Sequence, residues 1–409
     1  MKARGMFRGG GYRGARQLLS LVLTGAMAGL PAAAAGQVAA RGDAASGPPT
    51  RIGRHFDYSL AVARTTMQRY PQAARLPWGY APALFLYGAY LTWRRTHDPK
   101  LLPYIEAWAQ AHINAQGAID KKITALDFVM PGQVVLALYR QTHRRRYAIA
   151  ARYLRKVFNH YPTTADGGYW HAFQRRHQLW LDGTFMMLPF LVRYGQTFHD
   201  RAWCDRTAAR QLLIYYRHTN DPKTGLLFHA YDESGQSKWV EAGTHHSSQF
   251  WGRSIGWYAM ALTITLHHLP RNAPDRGRLL AIARQLARAL KKYQDPKTGL
   301  WHQVVNRADL KQDWLETSAS SMYAYFLAAA ATRGYIAHSY LRRAEKARRG
   351  ILARLIAGHD GRVHIPDICV GTNVGNLQFY LKRPRKTDDF HGIGAFLIMN
   401  EWFMRHRPI

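Results

Sequence analysis

Two aspartates stand where an apolar stretch of chain has no structural use for charge. Asp182 interrupts Leu179-Trp-Leu-Asp-Gly-Thr-Phe-Met-Met-Leu-Pro-Phe190, and Asp127 interrupts Ala125-Leu-Asp-Phe-Val-Met-Pro-Gly132. A carboxylate in such a run costs free energy unless it is paired or used. Two carboxylates held close together do not both ionise easily, so one keeps a proton near neutral pH. That arrangement supplies a general acid from one member of the pair. The competing reading is that each aspartate only caps a helix, because Asp is a favoured N-cap residue.

Other residues could complete a pocket. His171 (Tyr169-Trp-His-Ala-Phe173) and His229 (Leu227-Phe-His-Ala-Tyr-Asp232) sit among aromatics at equivalent places in a repeated pattern. Phe250-Trp-Gly-Arg-Ser-Ile-Gly-Trp-Tyr258 places Trp251 and Trp257 where they suit stacking on sugar faces, and Arg253 where it suits a bidentate clamp on a carboxylate. Trp78 and Tyr80, just before Pro82, add a further aromatic wall. Trp301, Trp314 and Glu316 read equally well as core or cap. His245 and His246 are adjacent with no nearby carboxylate, a weak ligand pattern, so no metal is expected. Cys204 and Cys369 are expected to be isolated thiols.

The elements that must position these groups are helical. Apolar residues recur at helical spacing in about twelve segments, beginning near Tyr58, Gly79, Pro99, Asp127, Arg145, Asp182, Arg201, Gly252, Asp275, Leu315, Tyr335 and Gly392. Short aromatic runs, Tyr169–Phe173, Leu226–His229 and Leu300–Val305, read as small hairpins between them. Asp221-Pro-Lys-Thr-Gly-Leu226 recurs as Asp295-Pro-Lys-Thr-Gly-Leu300, with Asp166-Gly-Gly-Tyr-Trp-His171 a looser third copy. Paired helices in repeats predict an all-α (α/α)6 barrel with short β-hairpins. Its inner helices must be apolar nearly all round, as Phe185–Val192 and Gly256–Leu266 are. The polar residues of interest then fall at helix starts, at one mouth of the ring.

The chain has 409 residues and a formal charge of +32. That field attracts polyanions without choosing among them. Residues 1–35 read as a signal peptide, with a basic region to Arg16, an apolar run Leu18–Leu30 and small residues Ala32–Ala35. Residues 36–50 read as a linker and 51–409 as the catalytic domain. A periplasmic or secreted protein without stable membrane insertion after signal removal is expected. No nucleic-acid-binding signature is present.

Several long motifs in order resemble glycoside hydrolase family 105, the unsaturated rhamnogalacturonyl hydrolases, related to the unsaturated glucuronyl hydrolases. They are Leu126-Asp-Phe-Val-Met-Pro-Gly132, Trp180–Phe190, Phe228-His-Ala-Tyr-Asp232, Phe250–Ala261, Leu315-Glu-Thr-Ser-Ala-Ser320 and Asp389-Phe-His-Gly-Ile-Gly-Ala395. The resemblance covers about Trp78 to Trp402. It implies the same barrel, no cofactor, and removal of a terminal Δ4,5-unsaturated uronic acid from an acidic oligosaccharide such as a pectin fragment. It also implies Asp182 as general acid/base, Asp127 as the second essential carboxylate, and His171, His229, Trp251, Arg253 and Trp257 as pocket residues. Ala83, where the family pattern has glycine, and the loop around Gly371–Tyr380 depart from it. The competing functions are a polysaccharide lyase or sugar epimerase on the same barrel, with His171 or His229 as base, and a non-catalytic polyanion-binding envelope protein.

Overall fold

The computed structural model describes residues 56–406; the signal and linker segments expected at 1–35 and 36–50 lie outside them. Thirteen α-helices run through the described residues: α1 (Tyr58–Arg69), α2 (Tyr80–Thr96), α3 (Leu101–His112), α4 (Gly132–Thr142), α5 (Arg145–Val157), α6 (Asp182–Thr197), α7 (Arg201–Thr219), α8 (Gly252–His268), α9 (Arg276–Tyr293), α10 (Thr317–Thr332), α11 (Tyr340–Leu352), α12 (Leu377–Leu381) and α13 (Phe390–Arg405). Helices α2, α4, α6, α8, α10 and α13 pack side by side in that order, and α13 returns to α2, so the inner ring closes. Helices α3, α5, α7, α9 and α11 lie outside the inner helix that precedes each. The sixth outer position is filled by α1, which packs against α13. This is the (α/α)6 barrel.

Residue patterning decides which helices go inside. Every residue of α8 from Gly252 to Leu266 is buried, and so is every residue of α10 from Thr317 to Ala331. In α11 only Ala344, Ala347 and Ile351 are buried, a single stripe at helical spacing. Inner helices therefore have no solvent face. None of the helices is long and apolar enough to cross a membrane.

The loops at one mouth add pairing between repeats to the expected hairpins. Strands β1 (Gln178–Trp180) and β2 (Ala230–Asp232) pair antiparallel, joining the loops that precede α6 and α8. Single bridges Ala125↔Ala172 and Trp251↔Val304 continue this pairing between repeats, whereas His302↔Leu315 closes a hairpin within the loop that leads into α10. The aromatic runs thus form local hairpin bridges, Thr163↔Tyr169, Asn220↔Leu227 and His302↔Leu315, and also pair with neighbouring repeats, which ties the mouth into a belt. The repeated turns are real: Asp221 accepts from Thr224 N and Oγ1, Asp295 accepts from Thr298 N and Oγ1, and Gly225 and Gly299 both take positive φ. Two helix starts move. Asp127 lies in a single 3-10 turn, Leu126–Phe128, and α4 begins only at Gly132, after Pro131. Residues 335–339 form a turn after Gly334, so α11 begins at Tyr340.

Candidate active site

The mouth holds a cleft of about 340 Å³ lined by both aspartates, Tyr80, Phe128, His171, Arg175, Trp180 and the strap Gly371–Asn373. Asp182 is the first residue of α6, where the free N–H groups of the helix start favour negative charge. Asp127 reaches the same cleft from its 3-10 turn. Gly183 lets the two segments meet: a Cβ there would lie 2.8 Å from Leu126 Cδ1 and 3.0 Å from the Tyr215 hydroxyl. The turn is held from both sides, by Leu126 N donating to His171 O (3.0 Å) and by Trp78 Nε1 donating to Phe128 O (2.9 Å).

The two carboxyls have different partners. His229 Nε2 lies 3.1 Å from Asp182 Oδ2, and His229 Nδ1 lies 2.7 Å from the Tyr380 hydroxyl. Gly375 N–H donates to that hydroxyl oxygen (3.2 Å), which turns the hydroxyl hydrogen toward Nδ1. The ring proton then sits on Nε2, facing Asp182. Burial pulls the Asp182 carboxyl upward, but the His229 hydrogen bond, with the electrostatic attraction of His229, His171 and Arg253, outweighs it. The result lies below the usual carboxylate range. Asp127 has no such donor. His171 Nε2 approaches its Oδ1 only to 3.7 Å, and burial keeps His171 neutral by pulling it down to about 4. Although 28% of its side chain stays open to the cleft, desolvation and then the Asp182 charge push Asp127 up to about 7. The pair therefore holds one proton near neutrality, and it rests on Asp127. This corrects the expectation that Asp182 keeps it; the Tyr380–His229 chain, invisible in the local sequence, is the reason.

The expected sugar-binding residues divide. His171 and Tyr80 line the cleft, and His229 reaches it through Asp182. His171 stacks on Trp180 with ring centroids 4.6 Å apart. Trp78, Trp251 and Trp257 do not line it. Trp78 stacks on Trp108, Trp257 packs on Phe185, and Trp251 donates to Gln303 Oε1. Arg253 is 1% exposed, and its guanidinium donates to the backbone carbonyls of Cys369 and Val370. It clamps the strap rather than presenting a fork to the cleft, because a buried cation must spend its donors on whatever acceptors surround it.

The cation that does line the cleft is Arg175, 4.1 Å above the Trp180 ring and anchored by Asn373 Oδ1 (2.8 Å). Sequence reading missed it; the signal was a basic pair four residues after His171. Glu316 is a cap: it accepts from Ala319 N, Ser318 Oγ and Cys369 N. His245 Nδ1 lies 3.2 Å from Glu233 O and His246 Nδ1 lies 2.9 Å from Ser247 O, and no cluster of metal-binding side chains occurs among the described residues. Cys204 and Cys369 are free and buried.

The sequence pattern of Glycosyl Hydrolase Family 88 matches residues 58–405. The chain is 33% identical to Protein Atu3128 of Agrobacterium fabrum over 229 residues, covering 52% of this chain and 96% of that one. It is 25% identical over 250 residues to the unsaturated rhamnogalacturonyl hydrolase YesR of Bacillus subtilis, covering 60% of this chain and 68% of that one. Among solved structures, the family 105 glycoside hydrolase of C. acetobutylicum superposes with a TM-score of 0.82 at 31% identity, covering 86% of this chain and all of that one. The unsaturated glucuronyl hydrolase of Bacillus sp. GL1, at 14% identity and a TM-score of 0.66, covers 85% of this chain and 95% of that one, and shares the fold.

Proposed function

The chain belongs to Glycosyl Hydrolase Family 88, and from that membership we propose that it removes a terminal Δ4,5-unsaturated uronic acid from oligosaccharides left by polysaccharide lyases. The observation that carries this reading is the Asp127/Asp182 pair, its two carboxyls in unlike surroundings, beside a cation and an aromatic wall in one cleft.

The substrate ring contains an enol ether, C4=C5 conjugated to a carboxylate. It needs a proton at C4, after which positive charge develops at C5 and the ring oxygen. Arg175 meets the sugar carboxylate, and Phe128 gives the ring an apolar wall, while Trp180, stacked with His171 and Arg175, holds those two groups in place. The incoming carboxylate adds negative charge beside the pair, and like charge favours passing the proton held by Asp127 to Asp182. Asp182 then delivers the proton to C4, while Asp127 and His171 hold sugar hydroxyls. Water adds at C5, the hemiketal opens, and the aglycone leaves from C1. The proton given to C4 is replaced from that water, so Asp182 acts first as acid and then as base, directly or through a neighbour. Because this is hydration, the carboxylate spacings of ordinary glycosidases do not apply.

The likeness to YesR favours rhamnose as the aglycone, hence rhamnogalacturonan and pectin breakdown. The basic and apolar leader supports an exported enzyme, in the periplasm or outside the cell. A panel of lyase-digested pectin, gum and glycosaminoglycan fragments, followed by mass spectrometry, tests both points of chemistry. One water added per unsaturated residue, with release of a shortened saccharide, is the expected result. A lyase would instead create new unsaturated ends, and that outcome would replace the hydrolase reading.

A further inference from the structure

The cleft contains a second hydrogen-bonded chain that the mechanism above leaves unused. The Tyr80 hydroxyl lies 2.7 Å from His391 Nε2, and His391 Nδ1 is hydrogen-bonded to Asp389 Oδ1. Asp389 caps α13 and also accepts from His391 N (3.1 Å), which fixes the carboxylate against the ring. Desolvation raises the Asp389 carboxyl, but the His391 bond outweighs it, so it is ionised and only accepts. His391 Nδ1 therefore carries the ring hydrogen. Desolvation, aided by Arg253, keeps the imidazole neutral against the pull of Asp389 and Asp182. Nε2 is then an acceptor, and Tyr80 must donate its hydrogen inward. Its oxygen lone pairs are left to the cleft, beside Asp127 and Asp182. The Gly371 strap passes over this pair, 3.7 Å from His391 Cε1 and 4.0 Å from the Tyr80 hydroxyl measured from a Cβ placed on the glycine.

A hydroxyl whose own hydrogen is committed to an imidazole, itself oriented by a carboxylate, has the layout of a base-assisted acceptor. We propose that Tyr80, backed by His391 and Asp389, is the group that takes the proton from the water adding at C5. This rests on the hydration reading above and supplies its missing neighbour. As the water oxygen bonds to C5, one water proton passes to Tyr80 Oη and the tyrosine hydrogen passes to His391 Nε2. The imidazolium is held beside Asp389 until the proton returns through Tyr80 to recharge the aspartate pair. No electron is gained or lost, and one proton enters the enzyme for each one given to C4. A weak acceptor suffices because C5 already carries positive charge.

The test uses the full chain with an unsaturated uronide disaccharide it turns over, and sodium azide, a nucleophile with no proton to lose. Tyr80→Phe should lower kcat about 10²-fold, within the usual range for removing an acid–base partner, with KM changed less than about threefold. His391→Gln, which keeps a partner for the Tyr80 hydroxyl but takes no proton, should show the same loss. Azide should restore alkene consumption at least about tenfold in both variants and not in Asp182→Asn, which lacks the acid. Wild-type kcat in Tyr80→Phe, a change confined to KM, or no azide rescue in the soluble His391→Gln protein would each overturn the assignment. A wild-type enzyme inert toward every unsaturated uronide would instead sink the hydration reading.

Discussion

At the scale of single residues, the site depends on an asymmetry between two like side chains. Asp182 has a hydrogen-bond donor fixed by Tyr380, and Asp127 has none. Replacing Asp182 with Asn should cut kcat/KM by about 10² or more. It should also lower the Asp127 pKa, because the repelling charge is gone; carboxyl-carbon NMR across a pH series reads that shift directly. In the wild type, the proton on Asp127 is lost as pH rises through about 7, so kcat/KM should fall on the alkaline side of that value. Tyr380→Phe leaves His229 Nδ1 without its donor and frees the ring to change tautomer. A kcat loss of about tenfold with an unchanged melting transition is expected; full activity would show that Asp182 does not depend on the chain. The aspartates and His171 and His229 were legible because each is polar inside an apolar or aromatic run. Arg253, Trp251 and Trp257 lie beneath the cleft lining, a depth that the sequence does not encode, because the same signal marks the lining of a pocket and the layer under it. Tyr380 and Asn373 gave no signal, since their partners lie far away in the chain.

At the scale of elements, helix starts carry the chemistry and the loops before them set its geometry. Helix periodicity was readable because a buried stripe must repeat every 3.6 residues. The β belt was not, because Ala230 pairs with Trp180 and Val304 with Trp251, contacts that local patterning does not encode. The start of α4 was placed early because Asp127 resembles a cap, whereas the true start, just after Pro131, is five residues later, at Gly132. Gly183 shows how tightly the elements meet. Gly183→Ala forces its methyl against Leu126 and Tyr215, at a cost of about 1–3 kcal/mol for overpacking. It should also displace the Asp127 turn, so activity at low temperature should fall even where the protein remains folded. Activity equal to wild type would mean that the turn yields without moving Asp127.

At the scale of the molecule, the barrel closes through residues at opposite ends of the described chain. Arg95 on α2 binds Glu401 on α13 (2.7 Å) and Asp57 at the cap of α1 (2.8 Å). Glu401 is 1% exposed, so Arg95→Met leaves a buried carboxylate without its main partner. A loss of about 3 kcal/mol in urea unfolding is expected; a loss under about 1 kcal/mol would mean that packing alone closes the ring. Closure itself was foreshadowed by the count of paired helices, but not the use of α1 as the last outer helix, which depends on a contact between the two ends. The formal charge of +32 also acts at this scale. It should speed capture of an anionic saccharide, so KM should rise with added salt while kcat changes little.

The most direct test is the ultraviolet absorbance of an unsaturated rhamnogalacturonan disaccharide, whose chromophore is the conjugated C4=C5 bond. Purified wild-type protein should abolish it, and Asp182→Asn at equal concentration should leave it nearly unchanged. A rise in absorbance, or equal loss with both proteins, would contradict proton delivery from Asp182 to the alkene.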